Sequence, residues 1–307
     1  MSTNSVLFDI PGPKARIRHA IVATVAAILL LLVLGWVVLR LHDKSQLTAA
    51  KWTPFFTGEI WTQYLLPGIG GTLLAAAVSV VLASVLGLAL GLGRLSDNAA
   101  LRAVSGVVTE FFRAVPVLMM MLFSYALYSQ YSLFPSEQLA LAGVVTGLTF
   151  YNGTVMAELL RSGVGSLPSG QREAGLAIGL SGSQTRRSIL VPQAVTAMLP
   201  SLVSQLVVIL KDTALGYIIT YEELLRKAEQ IGNYKSNLIP AFIVVAALFI
   251  LVNYSVSLLA RKVEQRMRSR GRTAGKVAAA GVIAIGGTAA VAEAEATSVS
   301  VSGRSAT

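Results

Sequence analysis

Apolar runs long enough to cross a bilayer recur along this chain. A hydrocarbon core about 30 Å thick takes about 20 mostly apolar residues as a helix, and six windows meet that length with few charges: 18–40, 68–92, 108–128, 138–160, 195–218 and 238–260. Small residues recur inside them at helical spacing, Ser79, Ala83, Gly87 and Gly91 four apart and Gly143 four before Gly147. That spacing lets neighbouring backbones approach closely in a membrane. Pro116 and Pro200 fall within or beside windows and predict kinks, and Met119, Met120 and Met121 read as flexible core filler. The first window follows Lys14, Arg16 and Arg18, as a signal peptide's would. Its apolar stretch is longer than the usual 7 to 15 residues, and no small-residue cleavage site precedes Leu41-His42-Asp43-Lys44, so an uncleaved anchor is expected.

The pattern therefore predicts an all-α polytopic membrane bundle of six transmembrane helices. Residues 1–17 form an N-terminal segment, 18–40 the first helix, 41–66 a loop, 67–262 the main transmembrane domain and 263–307 a tail. From 277 the tail turns to Ala, Gly, Ser and Val with few large side chains, a composition expected to stay disordered.

Composition narrows the function classes. Of 307 residues 54% are apolar and 13% charged, against about 45–50% and about 25% in soluble domains, which argues against a soluble enzyme. The absence of cysteine removes disulfides, thiolate metal sites and a Cys nucleophile. With His19 and His42 the only histidines, no His-based triad or H-E-x-x-H site can form across the body of the chain.

The net charge of +10 is unevenly distributed. Of the 25 Lys and Arg, the second, fourth and sixth polar segments hold Arg40, Lys44, Lys51, Arg226, Lys227 and Lys235, while Arg113 and Lys211 fall at membrane depth. All others lie in the alternate segments, and because cytoplasmic loops accumulate basic residues, both termini are expected in the cytoplasm. The positive charge is thus an orientation signal rather than a nucleic-acid surface. Aromatic residues in the outer loops, Trp52, Phe55, Phe56, Trp61 and Tyr64 in one and Tyr221 in the other, read as interface anchors, with Leu224, Leu225 and Ile231 beside Tyr221.

Ionisable residues inside spans mark functional sites by default, and Arg113, Glu158, Lys211 and Asp212 qualify. Helical spacing aligns Tyr151, Thr154, Glu158 and Arg161 on one face, and Ser201, Ser204, Gln205, Val208 and Lys211 on another. Two polar stripes in apolar helices suggest a lined path. The competing reading is that they tie helices together, Glu158 with Arg161 and Glu110 with Arg113. Sequence leaves both open.

The most informative segment is the polar loop 161–194. It contains Gly170-Gln171-Arg172-Glu173-Ala174-Gly175-Leu176-Ala177-Ile178-Gly179, then Ile189-Leu190-Val191-Pro192 after nine residues. Residues 171–178 are good helix formers, with Gly179 and Gly182 placed to stop the helix. A short helix this apolar must be covered, by its own bundle or by a groove on a soluble partner.

This segment resembles the EAA loop of binding-protein-dependent ABC importers, whose pattern is Glu-Ala-Ala, three residues, Gly, nine residues, Ile-x-Leu-Pro. Glu173, Ala174, Gly179, Ile189 and Pro192 fall at matching positions, while Gly175 replaces the second Ala and Val191 replaces Leu, substitutions that keep the residues small or apolar. Further stretches are similar to the polar amino-acid branch: Pro67 to Leu73, Glu110 to Pro116, which departs from the branch's E-F-F-R-G-T-P at Ala114 and Val115 and lacks the Gln that usually follows, Tyr151 to Val164, and Leu210 to Leu215. Glutamate-uptake permeases of actinobacteria are the most similar members.

The resemblance implies a five-helix importer core with one added N-terminal helix, in the plasma membrane. It implies a cytoplasmic ABC ATPase dimer docked on a coupling helix around Gly170, Gln171, Glu173, Ala174 and Gly179, with Ile189 and Pro192 behind it. A second permease subunit, a homologous chain or another copy, and an extracytoplasmic amino-acid-binding protein complete the expected assembly. The chain itself is expected to bind no cofactor or metal: its only Gly-Lys pair, Gly275-Lys276, is followed by Val277, so no phosphate-binding loop is present and ATP belongs to the partner. For an amino-acid substrate, Arg113 or Lys211 would meet carboxylates and Glu158 or Asp212 the ammonium, with Tyr151, Thr154 and Gln205 along the path. A self-contained secondary transporter or channel would also show six spans and buried charges, but has no need of the 161–194 loop.

Overall fold

A computed structural model describes residues 12–266, which fold into helices without a strand among them. The sequence expectation of a disordered tail falls, beyond residue 266, outside the described residues. In chain order the helices are α1 (Pro13–Asp43), α2 (Ala49–Trp52), α3 (Gly58–Ile60), α4 (Leu66–Arg94), α5 (Ala99–Ala114), α6 (Val117–Gln130), α7 (Ser136–Gly165), α8 (Ser169–Ala177), α9 (Gly182–Thr185), α10 (Val191–Asp212), α11 (Leu224–Tyr234) and α12 (Leu238–Arg266). Five stretches are long and apolar enough to span a bilayer: α1, α3–α4, α7, α9–α10 and α12.

The sixth expected span is not one straight helix. Window 108–128 splits into α5 and α6, which meet at 98°. Val115 is extended at φ −84°, ψ 127°, the conformation that the ring of Pro116 favours by crowding the helical region for the residue before it. The kink expected at Pro116 is thus a full corner. Pro200 behaves differently, since α10 runs on through it.

The described chain forms two compact units, residues up to 64 with 228–244, and 65–227 with the remainder. In the first, α1 has no buried residue, and Leu30, Leu31, Leu32 and Leu39 are all more than half exposed. A surface this apolar needs lipid around it. The loop after α1 is not irregular: Trp52 Nε1 donates to the Gln46 carbonyl and Trp61 Nε1 to that of Phe55, both at 2.9 Å. Asn237 Nδ2 donates to the Lys51 carbonyl at 2.8 Å, and Lys51 Nζ donates to that of Ser236. These bonds explain why 228–244 groups with the early chain instead of with the single 67–262 domain read from sequence.

The second unit is built around α7. Its glycines face neighbouring helices so closely that no side chain fits. A methyl group on Gly87 of α4 would lie 2.8 Å from the Gly153 carbonyl oxygen, and one on Gly91 3.3 Å from that of Ala157. The matching four-residue steps set α4 and α7 parallel in one register. A methyl on Gly147 would lie 2.9 Å from the Met121 backbone nitrogen, and one on Gly143 3.1 Å from Tyr125 Cβ, so α6 runs antiparallel to α7. The small-residue spacing in the sequence is this packing. Around it close Ala75, Ala83, Met121, Val144, Leu148, Met156, Ile209 and Leu210, all buried.

The segment 213–223 returns the chain toward the start of α4. Tyr221 donates its hydroxyl to the Gly71 carbonyl at 2.7 Å, and Thr72 Oγ1 accepts from the Leu224 amide. Tyr221 and Phe55, read from sequence as interface anchors, are instead buried, as are Leu224 and Ile231 near Tyr221 in the chain. Glu223 is buried too; its carboxylate accepts from the amides of Leu225 and Arg226 at 2.8 and 2.7 Å and so caps α11. Burial outweighs those two bonds and pushes its pKa up to about 7.

Two predictions follow from this packing. Gly147→Ala should lower the melting temperature of the detergent-purified protein, by the equivalent of about 1–3 kcal/mol, whereas Gly35→Ala on open α1, where nothing lies within 4 Å, should not lower it. Between its ordinary value of 4.5 and about 7, folded Glu223 keeps a proton that the unfolded chain has released. Stability should therefore fall as pH rises through that window, and Glu223→Gln should flatten the melting curve against pH.

Candidate functional site

The candidate residues fall into three places along α7 and its neighbours, plus the loop that follows α7. At the level of the α4 and α5 ends sits an ion cluster. Glu158 Oε2 lies 3.0 Å from Arg94 Nη1 and Oε1 2.6 Å from Arg161 Nη2; Arg94 Nη1 is also 3.2 Å from Glu110 Oε1. Arg113 is held more loosely, 3.6 Å from Glu110 and 4.0 Å from Glu158. Phe112 stacks on Phe150 at 4.5 Å and fixes α5 against α7 beside this cluster. Both pairs anticipated from sequence are present, but each lies within one helix at i, i+3 and ties none together; the contacts between helices are Arg94 with Glu110 and Glu158, and Arg113 with Glu158. Arg94, which sequence reasoning counted only as a basic loop residue, is the member joining them. Its signal was available: Arg94 continues the face of Gly91 that meets α7.

One level up, Gln205 Nε2 donates to Asn152 Oδ1 at 2.5 Å, while Asn152 Nδ2 donates to the Leu148 carbonyl at 2.8 Å. This ties α10 to α7 through an amide pair that sequence reading half missed, since it named Gln205 and not Asn152. Thr154, aligned with Tyr151 and Glu158 in the sequence stripe, is fully buried and donates to the Tyr151 carbonyl at 2.7 Å. It therefore offers nothing to a path. Tyr151 is half-buried.

Lys211 and Asp212 lie elsewhere. Helices α7 and α10 are antiparallel, with Gly163 against Met198, Asn152 against Gln205 and Gly143 against Ile219. Glu158 lies six residues beyond Asn152 in one direction and Lys211 six residues beyond Gln205 in the other, about 9 Å each way at 1.5 Å per residue. The structure does not gather Arg113, Glu158, Lys211 and Asp212 into one pocket, as a single substrate site would require. Lys211 is exposed and 3.9 Å from the Asp212 carboxylate. A cavity of about 250 Å³ opens between α4, α7 and α10, lined by Leu88, Met156, Leu160, Met198 and Leu202 with Ser84. The Ser84 hydroxyl is spent on the Val80 carbonyl, so this cavity has nothing for a zwitterion.

The loop after α7 is a built unit. Helix α8 ends in a Schellman turn: Gly179, at φ +84°, donates to the Leu176 carbonyl and Leu180 to that of Gly175. Gly179 thus stops the helix as its sequence position suggests. Gly182 does not; it opens α9, whose start is fixed by the reciprocal Ser181–Gln184 capping box. A π turn over Arg186–Leu190 then leads into α10. Pro192 at the start of α10 lacks an N–H for the carbonyl one turn back, and the widened turn takes up that mismatch.

Gly175 is buried, and a methyl there would lie 2.6 Å from Thr185 Cγ2 and 3.1 Å from Ile189 Cδ1. A methyl at 175 would have to displace the Thr185 and Ile189 side chains, so the glycine that departs from Glu-Ala-Ala lets α8 seat closely on α9 and the π turn. Gln193 Nε2 donates to Gln171 Oε1 at 3.1 Å and ties α8 to α10. The opposite face of α8 is bare: Gly170, Glu173, Ala174 and Ala177 are exposed, with Leu176 at 42% and Ile178 at 75%.

The described geometry, an apolar bundle whose loop helix α8 keeps an uncovered apolar face, fits a component that is docked from outside the membrane. Residues 83–269 match the family model of the binding-protein-dependent transport system inner membrane component. The chain belongs to this family. It is 52% identical over 229 residues to the glutamate transport system permease protein GluD of Corynebacterium glutamicum, covering 75% of this chain and 84% of that one. With the glutamate/aspartate import permease protein GltK of Escherichia coli it shares 27% over 208 residues, 66% of this chain and 93% of that one. Among solved structures, an amino acid ABC transporter with histidines superposes with a TM-score of 0.61 at 26% identity, covering 67% of this chain and 95% of that chain. The protein is a membrane-embedded permease subunit of an ABC importer.

Within this permease, Arg94 and Glu158 should matter more to stability than Arg161. Glu158→Gln removes the nearer of the two carboxylates from Arg94, whose side chain is only 14% exposed, and should cost about 1.5–3 kcal/mol in thermal unfolding. Arg161→Gln removes a pair that is 46% exposed on the arginine side and should cost under about 1 kcal/mol. The reverse order would show that Arg161 anchors the cluster.

Proposed function

We propose that this permease carries acidic amino acids, glutamate foremost, into the cell, powered by a partner ABC ATPase that seats on α8. The observation that carries the docking half is the bare face of α8, where Leu176 and Ile178 stand exposed around Glu173 in a loop otherwise locked to its own bundle. An apolar face of this kind fits a groove, and Glu173 can pair with a basic side chain there. The chain has no phosphate-binding loop of its own, so ATP is hydrolysed on the partner. Similarity to GluD and GltK supports the substrate half.

In this reading both termini are cytoplasmic, a solute-binding protein delivers the amino acid from outside, and a second permease subunit completes the pathway. The seam of α7 and α10 lies along it. Tyr151, the half-buried Gln205 and the exposed Lys211 offer neutral and cationic groups at successive levels, and Arg113, the most loosely paired arginine of the ion cluster, receives a carboxylate at the inner end. Docking and release of the ATPase on α8 rock these helices between outward-open and inward-open states.

The test is uptake of labelled glutamate in cells with and without this chain, beside a Glu173→Lys variant. Uptake should require the chain, and the variant should abolish uptake and ATPase stimulation while still inserting in the membrane. Uptake by the purified chain without an ATPase would identify a self-contained carrier, and failure with every polar amino acid would refute the substrate.

A further inference from the structure

One bidentate ion pair lies outside the substrate and docking residues, its arginine side chain 16% and its aspartate 69% exposed. Arg186, the first residue of the π turn, grips Asp97 with both arms of its guanidinium, Nη1 to Oδ1 and Nη2 to Oδ2, each at 2.6 Å. The two residues are 89 apart in sequence. Asp97 sits in the turn between α4 and α5, where its neighbours are already fixed. Asn98 caps α5 through the amides of Ala100 and Leu101, and Arg102 donates to the Ser96 carbonyl at 2.8 Å. On the other side, Gly182 leaves room for the carboxylate: a methyl there would lie 3.1 Å from Asp97 Oδ2. Arg172 of α8 and Arg102 also face Asp97, and together with Arg186 they hold its carboxyl below the usual carboxylate range.

The α8–α9–π block is joined covalently to the bundle at both ends, to α7 through residues 166–168 and to α10 through the π turn, where Gln193 also bonds Gln171. The Asp97–Arg186 pair adds a tie to a part of the chain distant in sequence, the α4–α5 turn, upstream of the 98° corner into α6. A push on α8 through its covalent ends alone would act on α7 and α10. A fork of two short charged bonds transmits the same displacement to the turn joining α4 and α5, because guanidinium and carboxylate planes resist shear in a way a single contact does not.

We infer that Asp97 and Arg186 form a transmission strut, positioning residues that make the α4–α5 turn and the corner into α6 move with the ATPase-docking block. This rests on the docking reading above. It adds the α4–α5–α6 elbow to the helices that the block moves through its covalent ends, α7 and α10.

The experiment uses the full transporter, with its ATPase and solute-binding protein, reconstituted in liposomes, and reads glutamate moved per ATP hydrolysed. Asp97→Asn and Arg186→Ala should each retain the ATPase on co-purification yet lower that ratio about fivefold or more. Asp97→Glu should recover much of it. Because the chain has no cysteine, Asp97→Cys with Arg186→Cys can be bridged by a short bifunctional thiol reagent, and bridging should restore the ratio. Wild-type coupling in the single variants overturns the strut, and so does a loss that tracks loss of bound ATPase or of melting temperature. Glu173→Lys is the separate control: if it leaves ATPase stimulation intact, the docking reading itself fails and the strut falls with it.

Discussion

The second unit depends on how closely α4 and α6 can approach α7. Lipid is as apolar as the helices, so no hydrophobic drive presses them together; contact must come from backbone proximity and packed side chains. Gly87 and Gly91 on α4 and Gly143 and Gly147 on α7 supply it, leaving no room for a methyl group. Once that approach is fixed, so is register. Arg94 arrives opposite Glu158 because Gly91 is already seated between Ala157 and Leu160.

Charge then follows from register. An ionised side chain in an apolar bundle has to find its opposite, and the α4, α5 and α7 ends satisfy this with three arginines shared by two glutamates. That sharing occupies Glu158 from two sides, which makes it a structural tie and leaves Arg113 the more available group. The amide pair of Asn152 and Gln205 does for α10 what the ions do for α5, at a level where a charge would be dearer.

The docking block applies the same economy outside the membrane. Glycine at 175 and 182 permits close contact, one against Thr185 and Ile189 and the other beside Asp97, while a Schellman turn and a capping box fix both helix ends without outside help. The block is therefore rigid by itself, and only its outer face is unfinished. A rigid element with one uncovered side is what a permease needs if a soluble motor is to move it without melting it.

The sequence alone determined what depends on composition and short-range spacing. Apolar length set the spans, small residues four apart marked the packing faces, and the Glu173-to-Pro192 spacing marked the importer family. It also located the stop at Gly179, because only glycine takes that backbone angle cheaply. What it could not decide were outcomes of bringing distant helices together. Whether Glu158 would line a path or tie helices depended on Arg94, and the partner of Gln205 lies 53 residues away. Window 108–128 looked continuous because hydropathy does not register a 98° corner. Tyr221 looked like an interface anchor because burial depends on where the chain returns, and Thr154 looked like part of a stripe because a helical wheel shows direction but not what fills the space. Local chemistry is written in the order of residues, while pairing across the bundle is set by helix register, and only the tertiary structure decides that.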